Sequence, residues 1–240
     1  MSRHLLDKAR SHIASAQFIT VLTGAGISAD SGVPTFRGTD GLWRNFRAED
    51  LATPEAFERD PRLVWEWYNW RREILATKRP NEAHHALARL EERAKQVHLI
   101  TQNVDGLHRQ AGSQNLSELH GDIWKVRCTS CRLVVENRDV PLPLLPHCRS
   151  CGGLLRPHIV WFGEALDEQV LADSFRSVES CDVMVIVGTA GLVYPAAMLR
   201  PSAKASGAFV IEINLAPTLY AADATLSLQG RAKDLVPLIL

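Results

Sequence analysis

Four of the chain's five cysteines fall in two pairs, Cys128-x2-Cys131 and Cys148-x2-Cys151, with 16 residues between them. Paired thiolates at that spacing are the ligand set of a tetrahedral zinc site, and four of them close the coordination sphere, so the metal they would hold is structural. A second cluster is Gly24-Ala25-Gly26-Ile27-Ser28-Ala29, placed directly after the apolar run Phe18-Ile19-Thr20-Val21-Leu22. Bare backbone amides and a helix start in that position suit a pyrophosphate. A dehydrogenase would add a second strand ending in an acid about 20 residues on. Here the chain runs instead into Pro34-Thr35-Phe36-Arg37 and on to Trp43, which reads as a long loop. The turn points to a dinucleotide, and the loop to one held for something other than hydride transfer.

Two more groups could carry chemistry. His120, in Glu118-Leu119-His120-Gly121, is suited to general-base work near neutral pH, although the chain has nine histidines and His84, His85, His98 and His108 compete on spacing alone. Tyr68-x-x-Arg71 lies in the tryptophan-rich stretch Trp65 to Arg72, where a helix would put both side chains on one face. A guanidinium fork with a phenol beside it can take a carboxylate; equally, such a helix could bury its tryptophans and leave Arg71 in water.

The elements that must position these groups follow from periodicity. Leu5–Ala16 and Glu82–Lys95, the latter capped by Asn81, read as helices. Strands are expected at Phe18–Leu22, Val97–Thr101, Val183–Val187 and Phe209–Ile213. Short β-branched runs separated by helices predict an α/β fold with a Rossmann-like parallel sheet covered on both faces. The loops after those strands hold Gln102, Asn103 and Asp105, then Gly188, Thr189 and Ala190, then Asn214 and Leu215. In an open parallel sheet all of them converge on the edge that carries Gly24. Two stretches break the rhythm, and together they predict a smaller second unit. Residues 1–37, 81–121 and 159–240 would form the large domain; 38–80 and 122–158 would form a small one, a helical module plus a four-cysteine zinc ribbon.

Lys+Arg and Asp+Glu balance at 27 each, which gives no electrostatic basis for nucleic acid or an anionic membrane as a direct partner. The amino-terminal residues lack the apolar core of a secretory signal, and paired cysteines kept as thiolates fit a reducing compartment; the expectation is a cytoplasmic protein, and a monomer. The longest uncharged run, Val183–Leu199, is 17 residues with glycines and a proline inside it, short for a membrane span and better read as strand, turn and helix.

Together these stretches resemble the sirtuins, the NAD-dependent protein-lysine deacylases. The match comprises GAGISADSGVPTFRG at 24–38, TQNVDGLH at 101–108, ELHG at 118–121, the four cysteines, RPHIVWFGE at 156–164, GTAGLVYPAA at 188–197 and INL at 213–215. The resemblance implies NAD as consumed co-substrate, one structural zinc and acylated-lysine proteins as substrates, meeting in a cleft between the two domains. It implies His120 as catalytic base. For the cofactor it implies Gly24, Ala25, Gly26, Ala29, Thr35, Phe36, Arg37, Trp43, Gln102, Asn103, Asp105, Gly188, Thr189, Ala190, Asn214, Leu215 and Ala232. Val160, Trp161, Phe162 and Gly163 would pair with the substrate peptide as an added strand. Ala190 stands where the family commonly has serine.

Tyr68 and Arg71 resemble the Tyr-x-x-Arg of the subgroup that removes succinyl and malonyl groups. In the reaction so implied, the acyl oxygen attacks the ribose carbon that carries nicotinamide, nicotinamide leaves, and His120 deprotonates a ribose hydroxyl that takes over the acyl group. Lysine, nicotinamide and O-acyl-ADP-ribose result. Within the family the alternatives are a plain deacetylase or a protein mono-ADP-ribosyltransferase; outside it, a non-enzymatic zinc-ribbon module that binds acyl-lysine, or a dehydrogenase.

Overall fold

The computed structural model describes residues 3–34, 47–93, 96–218 and 224–240. In chain order they form α1 (Arg3–Ser15), β1 (Phe18–Thr23), α2 (Ala25–Ala29), α3 (Ala48–Leu51), α4 (Pro54–Arg59), α5 (Pro61–Ala76), α6 (Glu82–Arg93), β2 (Gln96–Thr101), α7 (Leu107–Ala111) and β3 (Leu116–Glu118). There follow β4 (Gly121–Cys128), β5 (Val134–Glu136), β6 (Leu155–Ile159), α8 (Glu168–Ser180), β7 (Val183–Val187), α9 (Leu199–Ala205), β8 (Phe209–Asn214), β9 (Leu226–Gln229) and α10 (Ala232–Ile239).

Local sequence accounts for most of the boundaries. Asn81 caps α6, its side-chain oxygen accepting from the Ala83 amide at 3.0 Å. Asp167 does the same for α8 through the Gln169 and Val170 amides. Thr53 caps α4 and Asp60 caps α5, each followed by a proline in the first turn, where no amide proton is missed. The four expected strands fall within β1, β2, β7 and β8. Strands β3 and β9 were not expected.

Six strands form one sheet in the order β3-β2-β1-β7-β8-β9, every pair parallel. The chain passes from β1 to β2 and β3 on one side, then re-enters at β7 on the other. The topological switch point therefore lies between β1 and β7, where a doubly wound sheet opens its ligand crevice. One face is buried by α1, α6 and α10 around Val21, Leu87, Val185 and Val236. The other is buried by α8 and α9 around Leu22, Ile186, Val178 and Leu199. Among the described residues no helix is long and apolar enough to cross a membrane. The uncharged run supplies β7, a loop and a 3-10 turn at Ala196–Met198.

The cysteine region is a separate antiparallel sheet, β5-β4-β6, and α4 and α5 pack on it around Trp65, Trp67, Tyr68, Trp124 and Trp161. Most polar groups in that interface are matched. Trp65 Nε1 donates to the Leu155 carbonyl at 2.9 Å, and Asn69 Nδ2 to that of Leu142 at 2.7 Å. Arg72, 1% exposed, donates to the carbonyls of Ile123, Asn137 and Asp139. A buried cation whose Nη1 and Nη2 are held by carbonyls, with only Nε left unpartnered among the described residues, fixes α5 on the small sheet.

Candidate active site and metal centre

The carboxyl ends of β1 and β7 are pressed together through glycines. Gly24 N donates to Val187 O at 3.0 Å and Gly26 N to Gly188 O at 2.8 Å. A Cβ on Gly26 would lie 2.6 Å from Gly188 Cα, and Gly188 itself has φ +63° with Ile27 N only 2.5 Å from where its Cβ would be. These glycines serve the contact between two loops. The two amides expected to face a pyrophosphate are thus already bonded within the protein, while the half-buried Ala25 opens the first turn of α2 beside them. Ala29, at the other end of α2, is exposed. Thr35, Phe36, Arg37 and Trp43 lie outside the described residues.

The loop after β2 binds this edge together. Asn103 Nδ2 donates to Gly24 O at 3.0 Å and to Ser28 Oγ at 3.2 Å. Gln102 Nε2 donates to Thr189 Oγ1 at 3.0 Å, and Asn214 Nδ2 donates to Thr189 O at 3.0 Å, so four loops share one network. Asp105 is buried, accepting from Ser28 Oγ at 2.7 Å and from the Leu107 amide at 2.9 Å. Burial raises its carboxyl above the usual range, while those two donors and the charge of Arg71 oppose the shift. Ala190 and Leu215 are exposed, and Ala232 is the buried first residue of α10. Gly230 N bonds Asn214 O at 3.0 Å and brings that helix start to the end of β8.

His120 follows β3 and is half-buried. Its Nδ1 lies 2.9 Å from Gln102 O. A carbonyl only accepts, so Nδ1 carries the proton and Nε2 keeps its lone pair. Burial lowers its pKa below the ordinary histidine value, and the Gln102 carbonyl works in the opposite direction. The rival histidines are placed otherwise. His84 and His108 are buried under α2, and burial pushes His84 down to about 4 and His108 well below its ordinary value. His98 bonds Ser117 Oγ at 2.9 Å on the sheet, and His85 is a half-buried position on α6.

The segment after β6 runs past His120: Val160 N donates to His120 O at 3.0 Å and Phe162 N to Ala52 O at 2.9 Å. These two amides are therefore engaged within the protein. Phe162 is 52% exposed, and Gly163 is exposed with φ +87°. Trp161 turns inward, 2% exposed, and its Nε1 donates to Tyr68 Oη at 2.8 Å. Tyr68 is fully buried, and burial raises its phenol pKa. Arg71 is half-buried, its guanidinium 4.9 Å from the Trp67 ring centroid and 5.6 Å from that of Tyr68; it donates to the Tyr68 hydroxyl and feels the charge of Asp105. Tyr68, Arg71 and Asp105 thus form one group spanning α5 and the loop after β2. Leu192, Val193 and Tyr194, large apolar residues exposed on the loop after β7, were not singled out from sequence, although an apolar triplet just past a glycine turn at a strand's carboxyl end is a signal for them.

The four cysteine sulfurs all lie within 4.8 Å of one another, with Cys128 to Cys151 at 3.4 Å and Cys131 to Cys148 at 3.8 Å. Tetrahedral zinc with Zn–S near 2.3 Å requires S···S separations of about 3.8 Å, so the set fits that ion and is too wide for disulfides. Amides of Cys131 and Ser130 point at Cys128 Sγ and pull its thiol pKa down, the direction a thiolate ligand needs, while the neighbouring thiols push that of Cys131 up. Gly153 packs against the site, where a Cβ would come within 3.0 Å of Cys128 Sγ. Cys181 is buried beside β7 and is not part of the set.

Fold and sites define a doubly wound α/β protein with a nucleotide-type crevice at its switch point and a four-thiolate module beside it. A model of the Sir2 family matches residues 24–195, and the chain belongs to that family. It is 53% identical to the NAD-dependent protein deacylase of Aeropyrum pernix over 92% of this chain and 91% of that one. It is 48% identical to the mitochondrial NAD-dependent protein deacylase sirtuin-5 of Danio rerio, covering 86% of this chain and 76% of the relative. Among solved structures, a Sir2 homologue in complex with NAD superposes with a TM-score of 0.92 at 47% identity, over all of this chain and 93% of that one.

Proposed function

We propose that this chain is an NAD-dependent protein-lysine deacylase that removes acetyl and especially succinyl or malonyl groups, giving nicotinamide and O-acyl-ADP-ribose. The observation that carries the reading is His120: a half-buried imidazole with Nδ1 committed to Gln102 O and Nε2 free to accept a proton, beside the crevice built by Gly24, Gly26, Gly188 and Thr189. The names of the relatives support the class, and the NAD in the Sir2 homologue supports the cofactor.

In this reading NAD lies along the carboxyl edge. Gly24, Ala25, Gly26, Gly188, Thr189 and Ala190 line its phosphates; Asn214, Leu215 and Ala232 line its adenosine. Gln102, Asn103 and Asp105 line the nicotinamide and its ribose, with Ala29, Thr35, Phe36, Arg37 and Trp43 completing the site. His120 Nε2 takes the proton of a ribose hydroxyl as that oxygen attacks the acyl carbon. Val160 to Gly163 hold the peptide backbone, and the exposed Phe162 gives it an apolar wall. The acyl-lysine enters between the large unit and the small one formed by 38–80 and 122–158. Zinc on Cys128, Cys131, Cys148 and Cys151 holds the small sheet in shape and takes no part in the chemistry.

Support for the acidic-acyl preference comes from Tyr68 and Arg71. Both hold their polar heads inside the protein, Arg71 in the field of Asp105 and bonded to the Tyr68 hydroxyl, where a charged or strongly accepting acyl end would find two donors. The test is nicotinamide release from NAD with matched acetyl-lysine and succinyl-lysine peptides, for wild type and Arg71→Met. The proposal expects succinyl-lysine to be preferred and that preference alone to be lost in the variant. Preference for acetyl-lysine, unchanged by Arg71→Met, would reduce the protein to a plain deacetylase. Absence of nicotinamide release with either peptide would overturn the deacylase reading; labelled NAD left on protein would replace it with ADP-ribosyl transfer.

A further inference from the structure

A buried phenol has one proton to give and two lone pairs to fill. Both acceptor sites of Tyr68 are addressed by neighbours, Trp161 Nε1 at 2.8 Å and the Arg71 guanidinium. Its own O–H has no acceptor among the described residues, although the residue is 0% exposed. A buried donor without a partner costs about 1–3 kcal/mol, and that cost is relieved when a ligand brings an acceptor. The phenol is thus oriented as a donor by the groups behind it.

Trp161 is in turn held rigidly. The Arg156 guanidinium stacks 3.3 Å from its ring centroid and makes a two-pronged ion pair with Glu164, at 2.6 and 2.8 Å. Glu164 Oε2 also accepts the Trp161 amide at 2.9 Å, and Arg156 Nη2 donates to Ile159 O at 3.0 Å as well. The Arg156 and Trp161 side chains are largely buried, so neither is free to swing. The chain of contacts runs from the segment that would hold the substrate backbone, Val160 to Gly163, to the hydroxyl that would meet the acyl end.

We infer that Trp161, clamped by Arg156 and Glu164, is a positioning residue for acyl selectivity: by donating to Tyr68 Oη it forces the phenol proton outward, so that Tyr68 and Arg71 together present donors to an acyl carboxylate. This rests on the acidic-acyl reading above. Acetyl-lysine has no terminal acceptor to gain from that proton, so the device acts on the ratio between substrates.

The experiment measures kcat/KM for succinyl-lysine and acetyl-lysine peptides in wild type, Trp161→Phe, Tyr68→Phe and the double variant. Trp161→Phe keeps an aromatic ring under Arg156 while removing the Nε1 donor and part of the ring volume, and the Tyr68→Phe background separates the two effects. The succinyl-to-acetyl ratio is expected to fall about tenfold, the worth of one buried hydrogen bond. In the Tyr68→Phe background, Trp161→Phe is expected to leave the ratio where Tyr68→Phe alone put it. A ratio unchanged by Trp161→Phe, or an equal further fall in the double variant, would overturn the inference while leaving the acidic-acyl reading intact. A wild type without succinyl preference would overturn both. Should Trp161→Phe fold poorly by circular dichroism, Glu164→Gln, which weakens the clamp and leaves the indole in place, is expected to lower the ratio in the same direction; no change there would count against the inference.

Discussion

The imidazole of His120 donates through Nδ1 to the backbone oxygen of Gln102, 2.9 Å away, and so arrives at the crevice as a base with a defined tautomer. Burial lowers its pKa, which keeps the ring neutral to lower pH than an exposed histidine. Because the proposed reaction requires the neutral form, kcat/KM should rise with pH through an acid limb placed below 6.5. His120→Ala should cut turnover at least about a hundredfold with the circular dichroism spectrum unchanged. A fully active His120→Ala enzyme would remove the residue from its role.

Gly26 and Gly188 make a second prediction. Their backbones touch at a distance that leaves no room for a methyl group, and the atoms in the way are main chain, which cannot swing aside. Gly26→Ala should separate the ends of β1 and β7 by a few tenths of an ångström or more. NAD affinity, measured by calorimetry, should drop more than about tenfold, and the melting temperature should fall by several degrees, as expected for about 1–3 kcal/mol of overpacking. Wild-type affinity in Gly26→Ala would mean that the two loops do not shape the cofactor site.

Much of this was legible beforehand because it is written in local patterns. The β-branched runs that became β1, β2, β7 and β8, the cap at Asn81 and the cysteine spacing each depend on residues a few positions apart. What could not be read depends on distant pairs. Arg72 is 1% exposed and bonds carbonyls of residues 123, 137 and 139, all far from it in the chain. Gly24 and Gly26 were expected to offer their amides to a phosphate, and the β7 loop takes them instead. The bond from Trp161 to Tyr68 joins residues 93 positions apart and leaves no mark on either stretch. Strands β3 and β9, three and four residues long, are defined by the neighbour they pair with rather than by their own alternation.

The thiolate site predicts a folding dependence confined to the small unit. Only three short strands and two turns hold Cys128, Cys131, Cys148 and Cys151 together, and β5 is exposed along its whole length. Metal-analysis of purified protein should give one zinc per chain. Removing it with a strong chelator, or by Cys148→Ser, should lower the melting temperature by about 10 °C or more and abolish turnover, since α5 with Tyr68 and Arg71 packs on that sheet. Zinc-free protein that retained both would contradict a structural metal.

His84 and His108 set the behaviour of the fold in acid. His84 Nδ1 accepts from the Asn81 amide at 3.3 Å, so a second proton there would face a donor. Thr23 Oγ1 spends its proton on Thr101 Oγ1 at 2.8 Å, so His108 Nε2, 2.9 Å from Thr23 Oγ1, must donate to it, leaving buried His108 Nδ1 without a partner to receive a proton's bond. Both rings are therefore locked neutral, and burial holds the His84 pKa at about 4 in the folded state against 6.5 when unfolded. Between those values the unfolded chain binds a proton that the folded chain refuses, so the stabilisation is complete above pH 6.5 and is lost as pH falls toward 4. For His84 the loss amounts to about 3 kcal/mol over that window. Asp105, whose carboxyl is raised by burial, works in the opposite direction, gaining stability as it protonates. Urea midpoints of wild type and His84→Gln between pH 7.5 and 4.5 separate the two. The wild type should lose stability more steeply on acidification than the variant, and parallel curves would show that His84 accepts its proton in the folded protein as readily as in the unfolded chain.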